Sequence, residues 1–221
     1  MRYKLLLASL LVCALTWARP SKREVIIDTI CNAPLKEMLA VSERFCREFQ
    51  ACPDSLFDWA YLGLSEEEEL TTEKSRESRD AIQLRYKDRV YDPVNKTGDV
   101  AIDIYVLGVR WWKDQHLGSR YRLTRPVGAS YPLTSHMTAT YSGSILNGGD
   151  YIMQLTPISD TQTKIHYVFS LDFGRLLAAF ISDKTWYNAI EWRFHVILEN
   201  LVECAETGTV QPKRRGPHKN G

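Results

Sequence analysis

Histidines and carboxylates are the side chains best able to move protons near neutral pH, and this chain has five histidines. His166 alternates with Ile165 and Tyr167 and shares a strand face with Lys164 and Ser170, which is a solvent-facing position. His195 sits beside Phe194 at the flank of an apolar helical stripe. His136 lies in another alternating strand, and with His166 it is the best candidate for acid–base work. Asp103 alternates with Ile102 and Ile104 and is expected to face solvent. None of these belongs to a G-x-S-x-G elbow, an H-E-x-x-H pair, a phosphate-binding glycine loop or a dinucleotide turn. The sequence therefore marks no catalytic residue and no cofactor site.

Sulfur chemistry points to a compartment more than to a reaction. Cys13 lies in the apolar N-terminal run, which leaves Cys31, Cys46, Cys52 and Cys204 as an even set able to form two disulfides. Four cysteines allow three pairings, and closeness in the chain favours Cys46 with Cys52. There is no Cys-x-x-Cys pair and no histidine near these positions, so no metal site is expected. The N-terminus agrees with an oxidising destination. Arg2 and Lys4 precede an uncharged run from Leu5 to Trp17, Thr16 and Ala18 supply small residues before a cut, and Arg19-Pro20-Ser21-Lys22-Arg23 ends the run. About 14 apolar residues are fewer than the ~20 that span a bilayer. Residues 1–18 are read as a cleavable signal peptide and the mature chain as secreted or periplasmic. Asn95-Lys96-Thr97 is a glycosylation sequon in a turn-like stretch, relevant in a eukaryotic host.

The full chain carries a formal charge of +1. Loss of Arg2 and Lys4 makes it −1. Setting aside Lys213, Arg214, Arg215 and Lys219 of the basic tail, 209–221, leaves a body near −5, which argues against nucleic acid as a partner. The tail mixes Pro, Gly and cations without an apolar stripe and reads as disordered, as does the acidic insertion 65–79 that starts Ser65-Glu66-Glu67-Glu68-Glu69. Between signal and tail, residues 19–208 make one domain with enough apolar content for a sizeable core.

Periodicity gives that domain its order. Glu24 to Cys31 is a strand rich in β-branched residues, and Asn32-Ala33-Pro34 opens a helix carrying Leu35, Met38, Leu39, Phe45 and Phe49, with a second short helix over 54–62. From 80 onward the period becomes two. Strands are predicted over 80–91, 99–112, 119–125, 134–146, 150–158 and 163–172, and the short breaks between the later ones imply an antiparallel meander. Trp186, Ile190, Phe194, Ile197, Leu201 and Ala205 then form a long helical stripe that Gly208 terminates, its start as early as Phe173 with Asp172 as cap.

One strand, two short helices, six strands and one long helix resembles the helix-grip fold of the START-like superfamily, which includes polyketide cyclases, birch-pollen-type allergens and coenzyme Q-binding proteins. Asn32-Ala33-Pro34-Leu35-Lys36-Glu37 is similar to the turn those families place after the first strand. Leu171-Asp172-Phe173-Gly174 resembles their junction before the last helix, and Glu199-Asn200-Leu201 the end of that helix. The usual tryptophan of the first helix is missing and the 65–79 insertion is long. The resemblance implies an α+β domain in which a curved antiparallel sheet of about seven strands wraps a C-terminal helix and leaves an apolar cavity.

For this chain the implied lining is Tyr141, Met153, Tyr167 and Phe169 on the last strands and Trp186, Ile190 and Phe194 on the helix. Trp111 joins them as one of the Trp111-Trp112 pair, whose rings must lie on opposite sides of the sheet. Aromatic bodies with polar tips suit a hydrophobic small molecule bearing one or two polar groups. The same stripe would equally fill a solid core. Three roles follow: a carrier of a lipid, quinone, sterol or polyketide, with transient membrane contact; a cyclase or hydratase using the same cavity; or a ligand-free interaction module. The oligomeric state is not indicated.

Overall fold

The computed structural model describes residues 21–53, 59, 82–106, 108–143, 146–174, 178 and 182–209. The expected signal segment, the acidic insertion and the basic tail beyond Thr209 lie outside them, and of the second short helix only Trp59, which is helical, lies within.

The alternating segments form strands β1 (Lys22–Cys31), β2 (Ile82–Asp92), β3 (Thr97–Val106), β4 (Val109–Thr124), β5 (Leu133–Ser142), β6 (Leu146–Ser159) and β7 (Gln162–Phe173). They build one curved antiparallel sheet of order β1-β7-β6-β5-β4-β3-β2, in which β2 to β7 is a meander and β1 closes against β7. β1 and β2 are its edges. Helix α1 (Leu35–Ala51) follows β1. The chain ends in a composite helix of α2 (Asp183–Trp186), a π-turn (Tyr187–Glu191) and α3 (Trp192–Thr207). This is the α+β helix-grip layout.

Local chemistry explains most boundaries. Pro34 stands just before the first residue of α1 with φ −58, and its carbonyl accepts from the Glu37 and Met38 amides at 3.0 and 3.2 Å. Asn32 gives α1 no side-chain cap. Its amide donates instead to Glu206 Oε1 at 2.7 Å, and its Oδ1 accepts from Gln162 at 2.9 Å, so the β1–α1 corner is tied to the end of α3. Gly208 ends α3 with φ 78, a left-handed conformation that suits glycine, and its amide donates to the Cys204 carbonyl at 2.9 Å.

Two expectations fail at β3 and β4, and the break expected at 147–149 falls inside β6 (Leu146–Ser159), with β5 ending at Ser142. The Lys113–Gly118 stretch, read as a break, lies inside the single long strand β4. The strand accommodates it by register shifts against β3 and by Asp114 at φ 50. Gly108 is in a turn instead, within the 99–112 span expected to be one strand. Asp103 is the second case. It is only 3% exposed, because it accepts from the Asp114 amide at 2.9 Å while Lys87 and Arg110 lie over it at 3.1 and 3.2 Å. At the C-terminal end, Asp172 and Phe173 finish β7 and do not cap the helix.

Odd-numbered residues of β1, β5 to β7 and the part of β4 from Gln115 onward turn inward. Val25, Phe45, Tyr151, Met153, Leu155, Ile165 and Tyr167 are buried with Phe194, Ile197 and Leu201 of α3 in one cluster. A second, smaller cluster of Val100, Ile102 and Ile104 packs with Trp112 and Tyr141.

Candidate functional site

Strand register places small residues in a line between the two clusters. Gly149 pairs with Ala139, Ala139 with Ser119, and Ser119 with Gly98, so no bulky side chain rises from the inner face of β6, β5, β4 or β3 at this level. The β3 end of the line receives α1. A Cβ on Gly98 would stand 2.6 Å from the Gln50 carbonyl oxygen, and Gln50 Nε2 donates to the Lys96 carbonyl at 2.5 Å. Leu171 and the Ser170 carbonyl lie against Gly149 at the other end. Ala139, between them, is half-buried.

The predicted lining residues divide around this line. Met153 and Tyr167 are fully buried, and Tyr167 meets Tyr151 edge-on with ring centroids 5.3 Å apart. Phe169 and Phe194 stack at 3.4 Å with planes 15° apart, joining sheet to helix. Trp186 is buried and meets Phe173 at 6.1 Å, and Ile190 packs on the same cluster from the π-turn. Tyr141 stands apart in the second cluster. Trp111 is not brought to either: it is 64% exposed, and Trp112 is the ring that turns inward. The side of each tryptophan depended on the β4 bulge, which no spacing announced.

Polar atoms within this region carry the chemical information. Tyr141 Oη, Tyr167 Oη and Gln115 Oε1 are buried and have no hydrogen-bond partner among the described residues. Buried polar groups are ordinarily paired, so each is a candidate contact for something bound. Tyr141 and Gln115 converge: a Cβ on Gly143 would collide with the Tyr141 ring and with Gln115 Oε1 at once. Burial raises the Tyr141 hydroxyl above its ordinary pKa, raises Tyr167 and Tyr151 further, and pushes Tyr121 up to about 12, so all four remain protonated donors at neutral pH. Sequence reading missed Gln115 because it fell in the supposed break.

The histidines are elsewhere. His116 meets Asp99 at 3.0 Å, His136 meets Asp150 at 2.8 Å and His166 meets Asp28 at 3.0 Å. Each pair bridges adjacent strands, and His136 and His166 occupy the face opposite Met153 and Tyr167. On this outer face Thr97, Asp99, Arg120, Thr138 and Thr140 line a shallow polar groove of about 570 Å³. A second concavity of about 690 Å³ runs between β1 and α3.

No disulfide forms among Cys31, Cys46, Cys52 and Cys204; all four are free thiols. The Cys46–Cys52 pairing is not made because six residues of helix place the two on different sides of α1, with Cys46 in the core and Cys52 beside Arg89 at 3.2 Å. Burial pushes the Cys31 thiol up to about 11 and those of Cys46 and Cys204 upward as well, which makes these three poor nucleophiles. No group of three or more His, Cys, Asp or Glu among the described residues is placed to hold a metal, and none of the described helices is long and apolar enough to cross a membrane.

No protein-family model matches the sequence, and no curated protein matches it significantly. Among solved structures, the Zhui aromatase/cyclase from Streptomyces sp. R1128 is similar with a TM-score of 0.44 and 11% identity over 84% of this chain and 94% of that one. A truncated norcoclaurine synthase from Thalictrum flavum gives 0.42 and 5% over 84% and 94%, and Ara h 8.0201 gives 0.39 and 12% over 85% and 99%. At such values the chemistry of those proteins says nothing of this one.

Proposed function

We propose that this chain is an exported binding protein for a hydrophobic small molecule with a polar end, received along the line of small residues between the two inner clusters. The observation that carries the reading is the approach of the Tyr141 ring to Gln115 Oε1, with Tyr141 Oη and Gln115 Oε1 both buried and without a hydrogen-bond partner among the described residues, beside an otherwise apolar surface. The hydroxyl donates and the amide oxygen accepts, so the pair fits an alcohol or a carbonyl with a neighbouring donor. The Phe169–Phe194 stack and Trp112 offer flat apolar walls on either side. Lipid, quinone, sterol and polyketide skeletons share this combination of an apolar body and sparse polar groups.

Binding is favoured over catalysis because the inward-facing ionisable groups named above are tyrosines and thiols that burial keeps protonated, whereas His116, His136 and His166 are paired with aspartates on strands' outer positions. A displaceable fluorescent sterol or fatty acid tests the reading directly. The unmodified protein should bind it, and Tyr141→Phe should keep the fold while weakening a hydroxyl-bearing probe by roughly 5- to 10-fold, the loss of one hydrogen bond. Equal affinity of the variant for that probe would place the polar contact elsewhere.

Export rests on the charge and apolar pattern of residues 1–18. N-terminal sequencing of protein recovered from the host's medium or periplasm should begin near Arg19. Retention of Met1 in that fraction would contradict it.

A further inference from the structure

The Asn95-Lys96-Thr97 sequon, which the binding role leaves unused, occupies the hairpin turn between β2 and β3 and the first residue of β3. Its middle residue is held toward the inner side of the sheet. Lys96 is left-handed at φ 54, its carbonyl accepts from the Tyr121 amide at 3.0 Å and from Gln50 Nε2, and its ammonium lies 5.0 Å from the centre of the buried Tyr121 ring. The other two residues belong to the outer side. Asp92 pairs with Thr97 and Val90 with Asp99, so these four side chains share one face, opposite to that of Gly98 on which α1 sits. Asp92 ties Asn95 to that face: its Oδ1 accepts from the Val94 and Asn95 amides at 2.9 and 3.0 Å, and its Oδ2 from Asn95 Nδ2 at 2.5 Å.

Asn95 is exposed, and its amide nitrogen carries two hydrogens of which the Asp92 contact uses one. A sugar replaces the other, so attachment and that hydrogen bond coexist. The outer groove begins beside it, lined by Val90, Thr97, Asp99, Arg120, Thr138 and Thr140. Hydroxyl, carboxylate and guanidinium groups are partners for sugar hydroxyls. Val90 is 65% exposed on β2, an edge of the sheet, and such an edge ordinarily needs a cover. The sequence holds no other Asn-x-Ser/Thr, so any such modification of the chain is assigned to this position.

We infer that Asn95 carries an N-linked oligosaccharide once the chain enters a eukaryotic secretory lumen, and that its first sugars lie along the outer groove over Val90 and Thr97. The inference rests on the export proposed above. In the transfer, Asn95 Nδ2 bonds to the anomeric carbon of a polyprenyl-diphosphate-linked oligosaccharide. The carbon–oxygen bond to the diphosphate breaks, the diphosphate leaves with the electron pair, and Nδ2 gives up one proton.

Secretion of the mature chain from a eukaryotic cell line, behind a signal sequence of known efficiency, tests this apart from the export reading. A parallel culture carrying the native residues 1–18 reports on export alone. Peptide N-glycosidase treatment of the secreted protein in heavy-oxygen water, followed by peptide mass spectrometry, should show labelled aspartate at position 95 in most chains. Asn95→Gln and Thr97→Ala should abolish the label, and Thr97→Ser, which keeps the hydroxyl, should retain it. Hydroxyl-radical footprinting should then mark Val90 several-fold less in the glycosylated protein than in Asn95→Gln. Secreted chains with Asn95 unmodified would overturn the assignment of the site. A modified Asn95 with Val90 marked equally in both proteins would overturn the seating of the sugars in the groove.

Discussion

Asp103 shows how a single residue can escape a sequence pattern. Alternation with Ile102 and Ile104 put it on the opposite side from them, but the register shifts of β2 and β3 bring Lys87 and Arg110 over it. The Asp114 amide, then the lysine and arginine, hold its pKa below the ordinary carboxylate range. A depressed folded pKa contributes stability that is present at neutral pH and lost as pH falls through the folded value. Asp103→Asn should therefore destabilise the protein at pH 7 and flatten the decline in unfolding free energy below about pH 4. Chemical denaturation at a series of pH values checks this; a variant with an unchanged acid slope would show that the carboxylate is not the linked group. Met153, Tyr167, Trp186 and Phe194 were legible as inward residues because each lies in a clean period. Gln115 and the His–Asp pairs were not, because every partner arrives from a neighbouring strand whose register the sequence does not state.

Elements were more legible than residues. Seven strands, the opening of α1 after Pro34 and the end of the last helix at Gly208 follow from alternation, proline geometry and glycine's access to positive φ. The β3–β4 boundary was misplaced because Lys113–Gly118 has turn-forming composition, whereas pairing with β3 and β5 on both sides holds it extended. The line of small residues belongs to this scale too, since it exists only once four strands are in register. Gly98 is tightly constrained there, with the C-terminal turn of α1 seated on it. Gly98→Ala should push the Gln50 carbonyl away and cost about 1–3 kcal/mol. A thermal melt would register that loss, and an unaltered midpoint would mean that α1 is not seated there.

For the whole molecule, the arrangement is a sheet whose inner face is filled at one end by Tyr151, Met153, Tyr167 and Phe194 and interrupted at its middle by small side chains. A protein needing only stability would gain from bulk at Ala139, whereas a receptor for an apolar molecule needs the space kept. Ala139→Trp distinguishes the two when melting temperature and displacement of a bound fluorescent sterol or fatty acid are measured on the same sample. The binding account predicts that the unmodified protein takes up the probe, and that the variant melts within a few degrees of it but no longer binds. Failure of the unmodified protein to bind, together with a stability loss in the variant of about 1–3 kcal/mol or more as expected for an overpacked core, would contradict it.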